Sequence, residues 1–567
     1  MKLFQEVRDV IEQAFPSLKG SEFDFQPTPE NQPGDFGLAC FRFSKALRLS
    51  PPDSAIKLSG IAYPGIITGV LPVGPYLNFT LDRDVFAAEL LGEIFELREA
   101  FGSTGEGKGK RVLLEHTSIN PNASPHIGRS RNGLIGDTLA RLYRFEGYEV
   151  DVHYYINDMG KQIGLLVLQV GDRTDIGFHE VLDLYVEANR RAENDPAFEG
   201  KGFDLLMRME EGDPDAAKSF RRIVDICLVG QLKVLGRLGL SYDTFDRESS
   251  FLHDRRMDRA MEIFGEKGAL FTDEQERKVL DLKPLGYDRE EGRYIVLKRA
   301  SGSTMYMYRD IAYTLEKIER AGGRNIIVLG EDHKMYFEQM ETIIRALGKI
   351  PPEPVHYSYI LLREGKMSTR QGNVVLLEDF LDEAIQHARE KVDEQWPDIP
   401  ESERGEIARL IGIGAVRYAI LSVRPNRNVI FDWDTALSFT GDSGPYIQYS
   451  CTRIASILRK FGSEPDTVPA RIAVTHEAEW SLIFRISLVP HDISAALETR
   501  NPAILATTAL DIARRFSVFY NACPVLAAGR DSVRESRIAL CVATRLVLMN
   551  LLGLLGIEAP ERMQIEP

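Results

Sequence analysis

Residues 112–142 read V-L-L-E-H-T-S-I-N-P-N-A-S-P-H-I-G-R-S-R-N-G-L-I-G-D-T-L-A-R-L. The apolar run Val112, Leu113 and Leu114 predicts a buried strand, and the apolar positions from Leu134 to Leu142 recur at helical spacing. A strand, a tight loop and then a helix set free backbone N–H groups and the positive end of a helix dipole over the strand's end, which suits a polyphosphate. Gly128 lets the backbone approach a ligand closely. His126 can donate an N–H to phosphate oxygens as charge builds at phosphorus. Alone, H-I-G at 126–128 is most often a surface histidine beside a turn.

A second motif changes that weighing. Lys366-Met367-Ser368-Thr369-Arg370 follows the apolar run from Tyr357 to Leu362, with Arg363-Glu364-Gly365 as a turn. A loop carrying Lys366 and Arg370 could neutralise a pyrophosphate leaving group in the transition state. Two such motifs in order, each after a predicted strand, point to an enzyme that activates an acid with ATP.

Strands and helices alternate from about 111 to 375, the pattern of a Rossmann-like, doubly wound parallel sheet in an α/β protein. Tyr148 to Ile156 reads as its second strand and Arg324 to Leu329 as a later one, with a polar, mainly helical insertion at about 171–285. Ligands bind such sheets at the carboxyl ends of the strands, where strand order switches, and both motifs fall at such ends. Residues 1–108 form an N-terminal α+β module with a helical pattern from Met1 to Phe15 and a strand-like run from Tyr76 to Leu81. The Gly-rich, charged stretch 102–110 marks its boundary. From about 376 the pattern is almost wholly helical, with a connecting region at 376–445 and an all-α segment at 446–567.

A chain of 567 residues has room for three or four domains. Its five cysteines are widely spaced with no C-x-x-C pair, which fits reduced core thiols in a cytoplasmic protein. The start M-K-L-F-Q-E-V-R-D lacks a secretory apolar segment, and uninterrupted apolar runs fall well short of about 18 residues, so no membrane association is expected. A net charge of −15 argues against a polyanionic partner only if charge is spread evenly. With 69 Lys and Arg, one face can still be basic, and runs such as Glu210-Glu211-Gly212-Asp213 are expected to face away from it.

In these two motifs the chain resembles the class I aminoacyl-tRNA synthetases, whose "HIGH" and "KMSKS" signatures residues 126–129 and 366–370 are similar to. Within that class it resembles the arginyl-tRNA synthetase family in its archaeal-like H-T-S-x-N-P variety. Further similar stretches are 74–79 (G-P-Y-L-N-F), 157–162 (N-D-M-G-K-Q), Tyr306 through Asp310 to Tyr313, 444–449 (G-P-Y-I-Q-Y) and the closing 554–563.

The resemblance implies activation of L-arginine by ATP with Mg2+, giving arginyl-adenylate, and transfer of the arginyl group to tRNA(Arg). It implies that residues 1–108 contact tRNA and that 446–567 bind the anticodon. It assigns catalysis to His126, Gly128, Arg129, Lys366, Met367, Ser368 and Arg370, with ATP held by His126, Gly128, Arg129, His333 and Lys366. A guanidinium needs carboxylates in a fixed arrangement. By resemblance Asp310 meets it and Tyr306 forms a wall, these two lying one helical turn apart on one face. Glu115 and Asn120 take the α-amino and carboxylate end, and Asp158 and Gln162 are further pocket candidates. Gln448, Tyr449 and Arg453 mix basic and aromatic character, as a tRNA-facing surface does. No heptad run is evident, so a monomer is the default.

Two departures stand out. Arg129 replaces the signature's second histidine, and His333 stands where many members have glutamine. An arginine could clamp phosphate in the transition state or bind ATP too uniformly to help. The alternatives are therefore a tRNA-binding paralogue with impaired catalysis, and a class I enzyme for lysine, cysteine or glutamine.

Overall fold

The computed structural model describes residues 2–29, 31–362 and 375–562, which divide between two compact units. One unit holds residues 1–102, 450–494 and 508–550, and the other 103–449, 495–507 and 551–567. In the first, the predicted N-terminal helix runs Lys2–Ala14. Strands β1 (Phe25–Pro27), β2 (Phe36–Ala39), β3 (Ile67–Val73) and β4 (Tyr76–Leu81) form an antiparallel sheet in the order β1-β2-β4-β3. Phe36 stacks on Phe79 at 4.7 Å and faces Phe484 at 6.5 Å, while Phe86 meets Trp480 edge-on at 5.4 Å. These rings are buried together. Aromatic packing of this kind joins the N-terminal module to the helix Glu477–Ser487 in one core, whatever their separation in sequence.

The second unit contains strands β5 (Arg111–Glu115), β6 (Glu149–Ile156), β7 (Thr244–Arg247), β8 (Leu270–Thr272), β9 (Lys278–Asp281), β10 (Tyr294–Lys298), β11 (Arg324–Gly330), β12 (Glu353–Tyr357), β13 (Ile360–Leu362) and β14 (Val429–Phe431). Five of them make the expected parallel sheet, in the order β12-β11-β5-β6-β7. The chain builds outward from β5 through β6 to β7, then returns to the other side of β5 with β11 and β12. Strand order therefore switches between β5 and β11, and sheets of this kind bind ligands beyond the carboxyl ends at such a switch.

Two features differ from the sequence reading. The stretch 171–285, read as one insertion, contains β7, an edge strand of the main sheet. Thr-Phe-Asp-Arg is too short and polar to be recognised as a strand, and it pairs because β6 offers a free edge. The region 376–445, read as helical, contains β14, which pairs in parallel with β13. Strands β8–β10 form a separate antiparallel sheet in the order β10-β9-β8.

The helix Ile127–Phe145 packs with every residue from Ser130 to Ala140 buried. A Cβ at Gly136 would come within 2.3 Å of the His116 ring, so the helix lies directly on the loop that leaves β5 only because this position is glycine. The next residue, Asp137, accepts from Arg141 (2.9 Å) and from the fully buried Arg417 (2.5 Å) of the helix Glu401–Leu421. Arg417 also donates to the carbonyls of Leu555 (2.8 Å) and Leu238. Burial alone would raise the Asp137 carboxyl, but the charges of Arg417 and Arg141 hold it below the usual range.

Among the described residues, the helix Asp531–Leu554 is long and apolar enough to cross a membrane by length and composition, and 72% of its apolar window is buried within the protein, as in a core helix.

Candidate active site

The loop leaving β5 carries Thr117 and Ser118 at φ 79° and 63°, a conformation that L-residues rarely adopt. Hydrogen bonds hold them there. Thr117 N–H donates to Asn132 Oδ1 (2.6 Å), Thr117 Oγ1 shares a hydrogen bond with the Tyr242 hydroxyl (2.8 Å), and Ser118 Oγ donates to the Tyr155 carbonyl (3.0 Å). Further along, Gln231 donates to the carbonyls of Asn120 (2.9 Å) and Ala123 (2.8 Å). Strain this fully determined by its surroundings is a mark of a functional segment. His116, completely buried, has its pKa pushed down to about 4 by burial, so it is a neutral ring at physiological pH.

His126 is the N-cap of the helix Ile127–Phe145. Arg129 Nε donates to His126 Nε2 at 3.3 Å, which places the neutral ring's proton on Nδ1. Burial, then the Arg129 charge, lowers the His126 pKa. A Cβ at Gly128 would come 3.1 Å from His126 Nδ1. A cation in the first helical turn opposes the dipole, so Arg129 weakens its own helix unless an anion sits at that end.

The same helix start is fastened to the chain on both sides of residues 363–374. Ile127 N–H donates to the Val375 carbonyl (3.1 Å) and Leu377 N–H to the Pro125 carbonyl (2.8 Å), with His126 and Leu376 paired in antiparallel fashion. Arg131 is fully buried and donates to the carbonyls of Ser358 (2.6 Å), Tyr359 (3.3 Å) and Arg424 (2.9 Å). Lys366, Met367, Ser368 and Arg370 lie outside the described residues.

The arginine-pocket candidates divide into those that share a cluster and those that do not. Asp310 on the helix Tyr306–Ala321 accepts from the Tyr155 hydroxyl (Oδ1, 3.3 Å) and from the Tyr336 hydroxyl (Oδ2). Burial, and to a lesser degree the Glu115 charge, raises the Asp310 carboxyl. On the same helix face, one and two turns along, Tyr313 stacks on Tyr155 (4.4 Å), and Lys317 forms a buried ion pair with Glu115 while lying 4.4 Å over the Tyr313 ring. Tyr306 is 54% exposed, with the Arg309 guanidinium 5.1 Å over its ring. Asn120 is exposed, and its carbonyl accepts from Gln231 (2.9 Å) and from Ala123 N–H (3.0 Å).

Asp158 is buried and accepts from Ser249 N–H (2.8 Å) and Ser249 Oγ (2.7 Å), so it ties β6 to the turn after β7. Gln162 is exposed and accepts from Asn122 (3.0 Å). His333, in the turn after β11, is exposed with Nε2 3.8 Å from Asp332. Gln448 needs a correction as a tRNA contact. Its side chain is fully buried, and its amide donates to the carbonyls of Leu410 (3.0 Å) and Glu558 (2.6 Å), so it cannot meet RNA. Tyr449 stacks on Trp396 at 5.9 Å, and Arg453 lies 5.1 Å over the partly exposed Tyr520 ring.

Tyr155, Tyr336, Lys317 and Arg131 were not foreseen. Nothing in a single sequence distinguishes a phenol or guanidinium aimed at the site from one in the core. The turn E-D-H at 331–333, ending three residues before Tyr336, was the nearest available signal.

Comparison with known proteins gives a consistent picture. Residues 97–433 match the model described as tRNA synthetases class I (R), catalytic domain, and residues 447–563 match the DALR anticodon binding domain. The chain is 37% identical to an arginine–tRNA ligase of Methanocella arvoryzae, covering 99% of this chain and 100% of that protein. It is 40% identical to that of Methanopyrus kandleri, covering 86% and 84%. Among solved structures, Thermus thermophilus arginyl-tRNA synthetase superimposes with a TM-score of 0.80 at 27% identity, over 98% of this chain and 100% of that one.

Proposed function

The chain belongs to the class I arginyl-tRNA synthetase family, the arginine–tRNA ligases, and on that premise we propose how its residues join arginine to tRNA at the expense of ATP. One observation carries the reading. The backbone bonds of Pro125 and Ile127 to Leu377 and Val375 bring the first signature beside the chain that leaves the second, at the switch point of the sheet. ATP lies there with its phosphates toward the N-terminus of the helix Ile127–Phe145, His126 and Arg129. Lys366 and Arg370 are assigned to the leaving pyrophosphate from their place in the sequence.

Arginine lies with its guanidinium on Asp310 beside Tyr306, and its α-amino end toward Glu115 and Asn120. Its carboxylate attacks the α-phosphorus in line, the bond from the α-phosphorus to the α,β-bridging oxygen breaks, and pyrophosphate departs with that oxygen. The terminal tRNA hydroxyl then attacks the arginyl carbonyl, releasing AMP. The residues act by positioning and by neutralising charge.

Among the described residues no group of three His, Cys, Asp or Glu could hold a metal. Mg2+ bound with the nucleotide would supply counter-charge to the ATP phosphates. The tRNA is read by the helical segment 446–567 through a face including Arg453 and Tyr520, with residues 1–108 as a second contact. The enzyme works as a monomer in the cytoplasm.

The test is charging of total tRNA with labelled arginine, lysine, cysteine and glutamine in separate reactions. Arginine alone is expected to be esterified. Stoichiometric tRNA binding without arginine-dependent AMP release would instead identify a binding paralogue with Arg129 as the cause.

A further inference from the structure

Asp310 presents each of its two oxygens to a different phenol. Tyr155 comes from β6 and Tyr336 from the helix Lys334–Ala346, so their convergence is a product of the fold and not of one local turn. Burial pushes both hydroxyls well above the ordinary tyrosine range, which keeps them as donors. Tyr155 is also held by its stack on Tyr313, with rings 23° from parallel.

We infer that Tyr155 and Tyr336 are positioning residues for arginine selection, each occupying one acceptor site on Asp310 so that the two sites left free match the parallel N–H pair of a guanidinium. A carboxylate has about four lone-pair sites. Two phenols fix its plane and leave one site per oxygen. A guanidinium fork fills both, whereas an ammonium, a compact point charge, gains nothing from that spacing.

The surrounding charges make this support necessary. Burial and Glu115 push Asp310 toward its neutral form, while the two phenols and Arg309 favour the anion. Glu115 is itself paired with Lys317, and the neighbouring Glu248 accepts from Arg309 Nε at 2.6 Å. Without the phenols, the anion that must meet the substrate is less available as pH falls.

The inference rests on Asp310 as the guanidinium receptor, and the experiment separates the two. Tyr155→Phe, Tyr336→Phe and Asp310→Asn are assayed for arginine charging in the presence of tRNA, with KM for arginine and ATP and kcat measured from about pH 8 to about pH 6. Each Phe variant keeps its ring and is expected to raise the arginine KM roughly tenfold, the loss of one hydrogen bond to a charged group, with the ATP KM unchanged. The Phe variants are also expected to lose kcat/KM for arginine at higher pH than the wild type does, which a packing defect would not cause. If Asp310→Asn raises the arginine KM while both Phe variants keep the wild-type KM and pH profile, the inference is overturned. If Asp310→Asn leaves the arginine KM unchanged, the receptor assignment itself falls.

Discussion

Replacing Arg131 with methionine removes a guanidinium that no solvent reaches and leaves a side chain of similar length. The carbonyls of Ser358, Tyr359 and Arg424 all lose the guanidinium, although Tyr359 keeps a bond from Val429 N–H (2.9 Å) and Arg424 one from Arg427 N–H (3.0 Å). Hydrogen bonds to a charged group contribute about 1.5–3 kcal/mol each, and an unmet buried acceptor costs about 1–3 kcal/mol. Against this, methionine avoids burying a charge, a burial severe enough to lower the arginine pKa to about 10, and removes an Nε–H that is buried without an acceptor. The net loss should resemble that from breaking a buried charged network, about 3–5 kcal/mol.

The loss should be local as well as global. Ser358 and Tyr359 enter β13, and Arg424 precedes β14, so Arg131 ties the entries of both parallel strands to the helix that begins at the first signature. In hydrogen exchange by mass spectrometry, peptides covering 357–362 and 424–431 should exchange faster in Arg131→Met, while β5 and β6 keep their protection. Aminoacylation kcat should fall about a hundredfold, the usual consequence of a displacement near 1 Å among reacting groups. Arg131→Lys, able to reach fewer carbonyls, should lie between. Exchange and kcat both equal to wild type in Arg131→Met would refute the claim that this side chain couples the two signatures.

Other outcomes follow from neighbouring contacts. Arg129→Gln removes the charge beside His126 and should raise the ATP KM about tenfold, the value of one charge-assisted contact. Because that charge helps to lower the His126 pKa, the acidic limb of its kcat/KM profile for ATP should move to higher pH. Lys317→Met strands the Glu115 carboxylate in the core, costing about 3–5 kcal/mol in urea unfolding, and Glu115→Gln in the same chain should recover part of it. Arg417→Met should destabilise by a similar amount at neutral pH, about 3–5 kcal/mol. In the wild type the folded Asp137 pKa lies below its unfolded value of about 3.9, so its contribution is present above that pH and lost as pH falls through the lower folded value. Urea midpoints measured from neutral to acid pH should show this decline in wild type and a weaker one in Arg417→Met.

Much of the molecule was legible in the chain because local pattern and global fold agree there. Val112 to Leu114 is a run buried on both faces, and only a parallel sheet covered by helices accommodates such a strand. The spacing of Tyr306 and Asp310 required only that their segment be helical, which Tyr306–Ala321 is. β7 was not legible, since its four residues are strand only by pairing with β6. Gln448 misled for a related reason: a glutamine at helical spacing with Tyr449 and Arg453 looks like part of a polar face, and only the packing of Leu410 and Glu558 reveals it as an interior tie.

By itself the sequence determined the order of strand, loop and helix, the two signatures and the family they belong to, because these depend on residue types at short spacing. The tertiary structure alone decided which distant groups converge. Tyr155 and Tyr336 on Asp310, Lys317 on Glu115, and Arg131 on the carbonyls beside β13 and β14 are separated by 26 to 293 residues along the chain. Contacts at such separations exist only once the sheet has formed and burial has left each polar group with no partner but the one the fold brings to it.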